Sequence, residues 1–273
     1  MFRKLKEIFG SNSEQKIHWF SGMNKDDIWV YGEYIGMYTK AVISQKQTNP
    51  NIQAYLIFDG ERDEHIDFLE QNLDVVIIPY RVSFYDKLKE YYADNHIAAG
   101  AYLRCDIPII VKDILKLPTK YVLYTDSDVL FMDEVSRLNN LKPKYFNISS
   151  EFSKNKYTDI NSGVMWINVD SMYEIYSQFK DFIIKNFDKF ETYDQDAIKL
   201  FFKGKWETLS FRYNYKPYYG KSDKIKILHF HGPKPFHYEI CRDQTYPLKH
   251  LVNDFYFEMV DYYNNLSFSS PNP

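Results

Sequence analysis

Apolar and polar positions alternate along the first half of this chain in two different periods. Lys16–Phe20 (KIHWF) reads as a short strand, and Gly32–Gln47 has the 3.6-residue spacing of a helix, with Ile35, Tyr38, Val42 and Ile43 on one face. That helix closes at Asn49-Pro50. Ile52–Phe58 is a strand ended by the turn dipeptide Asp59-Gly60, and a short helix over Asp63–Gln71 precedes the β-branched run Val75–Ile78, which Pro79 stops. Ile97–Leu115 is helical in pattern with Pro108 inside it, which predicts a kink or two helices. Tyr121–Tyr124 is the next strand. Strands alternating with helices predict βαβ units and a mainly parallel, Rossmann-like sheet flanked by helices, an α/β fold.

The second half is less regular. Phe146–Ser149, Val164–Val169, Trp206–Leu209 and Ile225–Phe230 read as strands, and Ser171–Asn186, Asp194–Phe202 and Tyr246–Asn264 as helices. No repeat or long linker divides the chain. The reading is one domain over 1–273: a nucleotide-binding half at 16–135, an acceptor and catalytic half at 136–240, and a helical extension at 241–273.

Composition narrows the classes. Hydrophobic residues at 45% and charged residues at 26% fit a folded protein rather than a disordered one. With 34 basic and 37 acidic residues the net charge is −3, so no overall field draws nucleic acid. Cys105 and Cys241 make neither a disulfide framework nor a four-thiolate zinc site and fit a reducing compartment. No apolar run reaches the roughly 18–20 residues of a membrane span, and MFRKLKEIFG is a poor signal peptide, so the expectation is a cytoplasmic protein. Phe2, Leu5 and Phe9 beside Arg3, Lys4 and Lys6 suit peripheral contact at the inner face of a membrane, or a docked first helix. Aromatic residues make up 18% of the chain, which fits a large core and also ring stacking on planar ligands.

Four segments carry chemistry. In YVLYTDSDVLFMDEV (121–135) an apolar strand delivers Asp126 and Asp128 at its carboxyl end, where open α/β sheets bind ligands. Side chains two apart in an extended chain point the same way, so both carboxylates can face one divalent cation and, through it, an anionic substrate. A strand-end turn with Asp126 as a cap and Asp128 solvated is the plainer reading. In IKILHFHGPKPFHY (225–238), His229 and His231 share one strand face, Gly232 permits close approach of a backbone, and Lys234 offers a charge for phosphate. A strand running into a proline turn with surface histidines fits as well. Asn161-Ser162-Gly163 reads as a polar turn before an apolar strand, and Asp194-Gln195-Asp196 opens a helix in which Asp194 can be an N-cap and Asp196 a first-turn charge. Arg104 is a cation in an otherwise apolar helix, which needs an anionic partner. FRYNYKPYYGK (211–221) suits either an acceptor groove or loop packing.

An arginine helix, D-x-D, N-[SA]-G-V, D-Q-D and H-F-x-G in this order resemble the retaining glycosyltransferases of family 8, the family of glycogenin and of bacterial lipopolysaccharide galactosyl- and glucosyltransferases, over about residues 16–240. The resemblance implies a GT-A fold with a short antiparallel second sheet, and transfer of a hexose or similar sugar from a UDP-sugar donor to a glycan or lipid-linked sugar acceptor. It also implies manganese or magnesium as cofactor, and a role in bacterial surface polysaccharide assembly. By the same resemblance Asp126, Asp128 and His229 are metal ligands, Ser127 lies beside the ribose, and Arg104 holds donor sugar and phosphate. Asn161 is a hydrogen-bonding group on the donor-sugar or acceptor side, Gly163 beside it belongs to the substrate- or nucleotide-binding residues, Asp194 fixes sugar hydroxyls, Gln195 faces the anomeric carbon, and Gly232 and Lys234 contact the diphosphate. Two departures stand out: HFHGPKPF is one residue short between Gly232 and Lys234 and ends in Phe236, and the opening strand leads into Trp19–Met23, with Asp26 and Asp27 later, where the family has an acidic-polar turn that reads uracil. The rival classes are a haloacid-dehalogenase-type phosphatase, a two-metal nucleotidyltransferase, and a non-catalytic sugar- or nucleotide-binding protein.

Overall fold

The computed structural model describes residues 16–26, 30–92 and 97–268. The basic-apolar N-terminal segment and Asp27 lie outside them.

The first third follows the predicted alternation: β1 (His18–Asn24), α1 (Tyr31–Thr48), β2 (Gln53–Asp59), α2 (Glu64–Leu73) and β3 (Val76–Pro79). The opening strand is longer than its apolar run. Ser21, Gly22, Met23 and Asn24 continue it because their backbone pairs in register with Leu56–Asp59 of β2, and a ladder partner overrides a weak side-chain pattern. The polar stretch after Phe20 is therefore strand, not turn. Asp63 caps α2 by accepting from the amides of His65 and Ile66.

A helix that the pattern did not predict, α3 (Tyr85–Tyr92), precedes a broken helical segment: α4 (Ile97–Tyr102), a 3-10 turn at Leu103–Asp106, α5 (Ile107–Ile109) and a π turn at Ile110–Ile114. Pro108 has no amide to donate to the carbonyl of Arg104, so the chain tightens and the Ile107 amide takes that carbonyl instead. Arg104 thus sits in the break of the helix, not within a regular turn.

β4 (Tyr121–Thr125), β5 (Val129–Phe131), β6 (Phe146–Ser150) and β7 (Ile160–Asn168) follow. Two helices, α6 (Val169–Glu174) and α7 (Tyr176–Lys185), replace the single one expected over Ser171–Asn186. Then come α8 (Asp194–Phe201), β8 (Glu207–Thr208), β9 (Ile227–His229), α9 (Tyr238–Arg242) and α10 (Asp254–Asn265). The last helix starts later than predicted because Asn253 caps it, accepting from the Tyr256 amide at 2.9 Å, while Pro247 keeps the preceding stretch out of it.

The main sheet has seven strands in the order β3-β2-β1-β4-β7-β6-β8, and β7 runs against the others. β5 and β9 form a separate antiparallel pair. The order reverses between β1 and β4, and in such a sheet ligands bind outside the carboxyl ends of the strands at that point. One further irregularity matters. Ile148 pairs with Met165 but Ser149 pairs with Asn161, so Ser162–Val164 bulge away from β6. The N-S-G tripeptide predicted as a turn is this bulge inside β7.

Adjacent residues of β1 point to opposite faces, and each anchors a core. Trp19 packs with Tyr38 and Phe131 on the α1–α2 face, and Phe20 with Tyr55, Tyr102 and Phe146 on the other. A third core joins Leu130 and Leu228 of the small sheet to Phe255, Tyr256 and Val260 of α10. Trp19 is fully buried and donates from Nε1 to Thr125 Oγ1 at 2.8 Å, and Thr125 in turn donates to the carbonyl of Asp126. Replacing Trp19 by Ala should lower stability by about 3–5 kcal/mol in urea denaturation, since it opens a cavity and leaves Thr125 without its donor. A loss below about 1 kcal/mol would show that this residue does not tie β1 to the end of β4.

Candidate active site

The cleft at the switch point is lined by Gly22, Met23, Tyr34, Arg104, Tyr124, Asp126, Ser127, Asp128 and Lys234, and encloses about 350 Å³. β4 ends at Thr125 and β5 begins at Val129, so Asp126-Ser127-Asp128 is the tight link between the two sheets. β9 pairs with β5 through His229 and Val129, which sets the His229 imidazole opposite that link. Asp126, Asp128 and His229 each offer a ligand atom within 4.8 Å of the others. His229 Nε2 is 3.3 Å from Asp128 Oδ1 and 3.9 Å from Asp126 Oδ2.

This geometry fits a divalent cation. Asp128 is buried and its Oδ1 has no hydrogen-bond partner, so a cation there would satisfy it. The His229 tautomer is set from behind: Nδ1 lies 2.9 Å from Asn214 Oδ1, while Asn214 Nδ2 donates to Asn161 Oδ1 at 2.7 Å, so the Asn214 oxygen must accept. Nδ1 therefore carries the proton and Nε2 presents a lone pair to the carboxylates, the arrangement of a ligating imidazole with its outer-shell partner.

Close approach of these groups depends on Gly163. A Cβ there would lie 2.8 Å from Asp126 Oδ2 and 2.9 Å from His229 Nδ1. The β7 bulge also turns its peptide groups toward the site: the Gly163 carbonyl accepts from the Asp126 amide at 2.8 Å, and the Ser162 carbonyl accepts from Arg104 Nη1 at 2.7 Å. Gly163 lies in a strand bulge, not a turn, and its missing side chain makes room for the cluster.

Arg104 is buried beneath these carboxylates. Its Nη2 donates to Asp126 Oδ1 at 2.8 Å, its Nε lies 3.0 Å from Asp194 Oδ2, and its guanidinium stacks over the Tyr124 ring. Burial works against its charge, but Asp126 and Asp194 together hold it firmly protonated. Lys234 reaches Asp128 Oδ2 and the Phe230 carbonyl. Burial would raise the Asp128 carboxyl, yet the Lys234 ammonium against it outweighs burial and keeps Asp128 well below the usual carboxylate range. Asp194 goes the other way: burial pushes its carboxyl up to about 6 against the opposing charge of Arg104.

The two remaining candidates are tied into the same frame. Gln195 Oε1 accepts from the Ser162 amide at 3.0 Å and from Asn161 Nδ2 at 3.3 Å. Asn161 joins Gln195 to Asn214 and hence to His229. Ser127 lies in the cleft wall. Gly232 has φ +88°, a left-handed conformation, and a Cβ there would meet Leu251 at 2.8 Å, so the turn and the C-terminal packing both require glycine. Asp26 donates its amide to Asn24 Oδ1 and is not among the cleft residues.

The sequence did not single out Asn214, Glu151 or Tyr34. Asn214 sits in the tyrosine-rich tract at 211–221, whose Tyr215 is buried and packs against Phe255; nothing distinguishes it there except complete burial of a polar side chain. Glu151 is buried and receives His231 Nε2 at 2.7 Å, which gives the extra histidine a partner other than Asp126 and Asp128. Tyr34 follows a helical pattern and faces the cleft.

Residues 30–239 match the family model for glycosyl transferase family 8. General stress protein A of Bacillus subtilis is 22% identical over 209 residues, 69% of this chain and 71% of its own. The galactosyltransferase LgtC, solved with donor and acceptor sugar analogs, superposes with TM-score 0.66 at 18% identity over 93% of this chain and 97% of its own. The glycosyltransferase GlyE of Streptococcus pneumoniae superposes with TM-score 0.62 at 16% identity; the match covers 92% of this chain and 64% of the GlyE chain. The chain belongs to glycosyl transferase family 8 and has the GT-A fold.

Two outcomes follow from the site. Asn214→Ala should weaken manganese binding 10–100-fold by calorimetry, because Nδ1 loses the acceptor that fixes the tautomer; unchanged affinity would separate Asn214 from the metal. Asn at position 194 mimics the neutral carboxyl, and charging Asp194 is disfavoured in the fold. The stability that the neutral form contributes is complete below about pH 4 and lost as pH rises through about 6. The melting temperature of Asp194→Asn should therefore gain on wild type between pH 4 and pH 7, and a constant difference would contradict the burial argument.

Proposed function

We propose that this glycosyltransferase is a metal-dependent retaining enzyme that moves a hexose or similar sugar from a UDP-sugar to a glycan or lipid-linked sugar acceptor. The observation that carries the reading is the convergence of Asp126, Asp128 and His229 on one point of the switch-point cleft, with the Asp128 oxygen unpartnered and Lys234 alongside. A divalent cation held there, with the imidazole favouring manganese over magnesium, supplies Lewis-acid stabilisation of charge on a diphosphate.

The chain's own groups account for the other half of the step. Cleavage of the bond between the anomeric carbon and the β-phosphate oxygen leaves negative charge on the phosphate, which the ammonium of Lys234 and the guanidinium of Arg104, both lining the cleft, are suited to stabilise. By the family resemblance Gln195 faces the anomeric carbon, where a double-displacement enzyme needs a carboxylate, and an amide is a poor nucleophile. The acceptor oxygen then bonds to the anomeric carbon on the face that the phosphate leaves, and its proton passes to the departing phosphate oxygen. Asp194, ion-paired to Arg104 and buried, is suited to fixing sugar hydroxyls and positioning Arg104 rather than to attack. Among the described residues no helix is long and apolar enough to cross a membrane. A place at the cytoplasmic face, in bacterial surface polysaccharide assembly, rests on the family resemblance.

UDP release from a panel of UDP-sugars, with and without manganese, tests the reading; one donor should be hydrolysed in a metal-dependent way. On that donor, Asp128→Ala should lose at least about 100-fold in rate, roughly 3 kcal/mol of barrier, while remaining folded. Activity within threefold of wild type would remove the metal assignment. Gln195→Ala should lower turnover with UDP affinity nearly intact, and a collapse of UDP binding would mean that Gln195 serves the nucleotide instead.

A further inference from the structure

The entry to α8 holds a feature that the reaction itself does not explain. Tyr193 has φ +49° and ψ −116°, the dihedrals of the first central residue of a type II′ turn, where glycine is the usual occupant. The turn is closed by the Gln195 amide donating to the Thr192 carbonyl at 3.1 Å. Its two outgoing residues are Asp194, which meets Arg104, and Gln195, whose oxygen meets the Ser162 amide. A bulky residue persists in such a conformation only where its surroundings over-determine it.

Asp196 supplies that restraint. Its Oδ2 accepts from the amides of Glu191 and Thr192, at 2.8 and 2.7 Å. The carboxylate thus reaches back across the turn and staples the incoming chain to the first turn of α8. This is more than the favourable first-turn charge expected from sequence, because both bonds go to residues ahead of the helix. The Tyr193 ring, edge-on to Tyr92 at 5.7 Å, explains why the position is not glycine: the side chain belongs to the α3 packing.

We infer that Asp196 is a positioning residue: its carboxylate holds the strained turn at Tyr193, and the turn sets Asp194 and Gln195 in the site. The importance of Gln195 rests on the function proposed above, but its placement can be read without any substrate. The Ser162 amide lies in the bulge and has Gln195 Oε1 as its acceptor, so its exchange with solvent reports where Gln195 is.

The experiment compares wild type with Asp196→Ala, Tyr193→Gly and the double variant. In Asp196→Ala, amide exchange at Ser162, followed by NMR, should accelerate at least 10-fold, while Leu123 in the sheet centre stays unchanged. In the double variant it should return to within threefold of wild type, because glycine adopts the turn unaided. An unchanged Ser162 in Asp196→Ala, or fast exchange that Tyr193→Gly does not correct, would overturn the inference. With the UDP-sugar hydrolysed by wild type, kcat of Asp196→Ala should fall at least 10-fold, with KM and metal-dependent UDP affinity within about threefold, and Tyr193→Gly should rescue it. Normal kcat beside a freed Ser162 amide would overturn the role in transfer. A wild type that turns over no UDP-sugar would refute the proposed donor and leave the exchange measurements to decide the turn.

Discussion

Three carboxylates, those of Asp126, Asp128 and Asp194, share one confined region, and like charges so placed repel unless each meets a cation. Arg104 joins two of them, Lys234 takes the third, and the remaining electron-rich atoms, Asp128 Oδ1 and His229 Nε2, converge on one corner that suits a divalent ion. Much of the local architecture follows from meeting that requirement. Pro108 breaks the helix so that Arg104 lies in a tightened turn, and the reversal of strand order brings the end of β4 beside it.

Positioning then passes through the β7 bulge. Freed from β6, Ser162 and Gly163 offer their peptide groups to Asp126, Arg104 and Gln195, and the bare Cα of Gly163 lets His229 and Asp126 close in. Asn161 and Asn214 extend the frame, linking the amide of Gln195 to the imidazole of His229 by hydrogen bonds. Such a chain of buried polar groups fixes geometry strongly when every member is satisfied. It also means that Gln195 and the corner formed by Asp126, Asp128 and His229 share supports and should respond to mutation together.

The sequence disclosed the parts whose chemistry is written in a local pattern. An apolar strand ending in two acids two residues apart is such a pattern, and β4 with Asp126 and Asp128 appeared where it was read. β2 was similarly plain. The N-S-G segment was misread as a turn because polar, small residues look the same in a turn and in a bulge; only the pairing with β6 on one side and β4 on the other separates the two. β1 was cut short for the same reason. Asn214 was not legible, since an asparagine among tyrosines carries no signal until the fold buries it against a histidine 15 residues away. His229 stood out through the family resemblance, and the pairing of β9 with β5 is what sets it opposite Asp126 and Asp128.

Calorimetric titration with UDP, in manganese and then in excess chelator, tests the central claim most directly. A carboxylate-rich cleft repels a diphosphate unless a cation lies between them. The account predicts saturable UDP binding in manganese that disappears with the metal. Binding of equal strength in both conditions would contradict it, because the diphosphate would then be held without the Asp126, Asp128 and His229 corner.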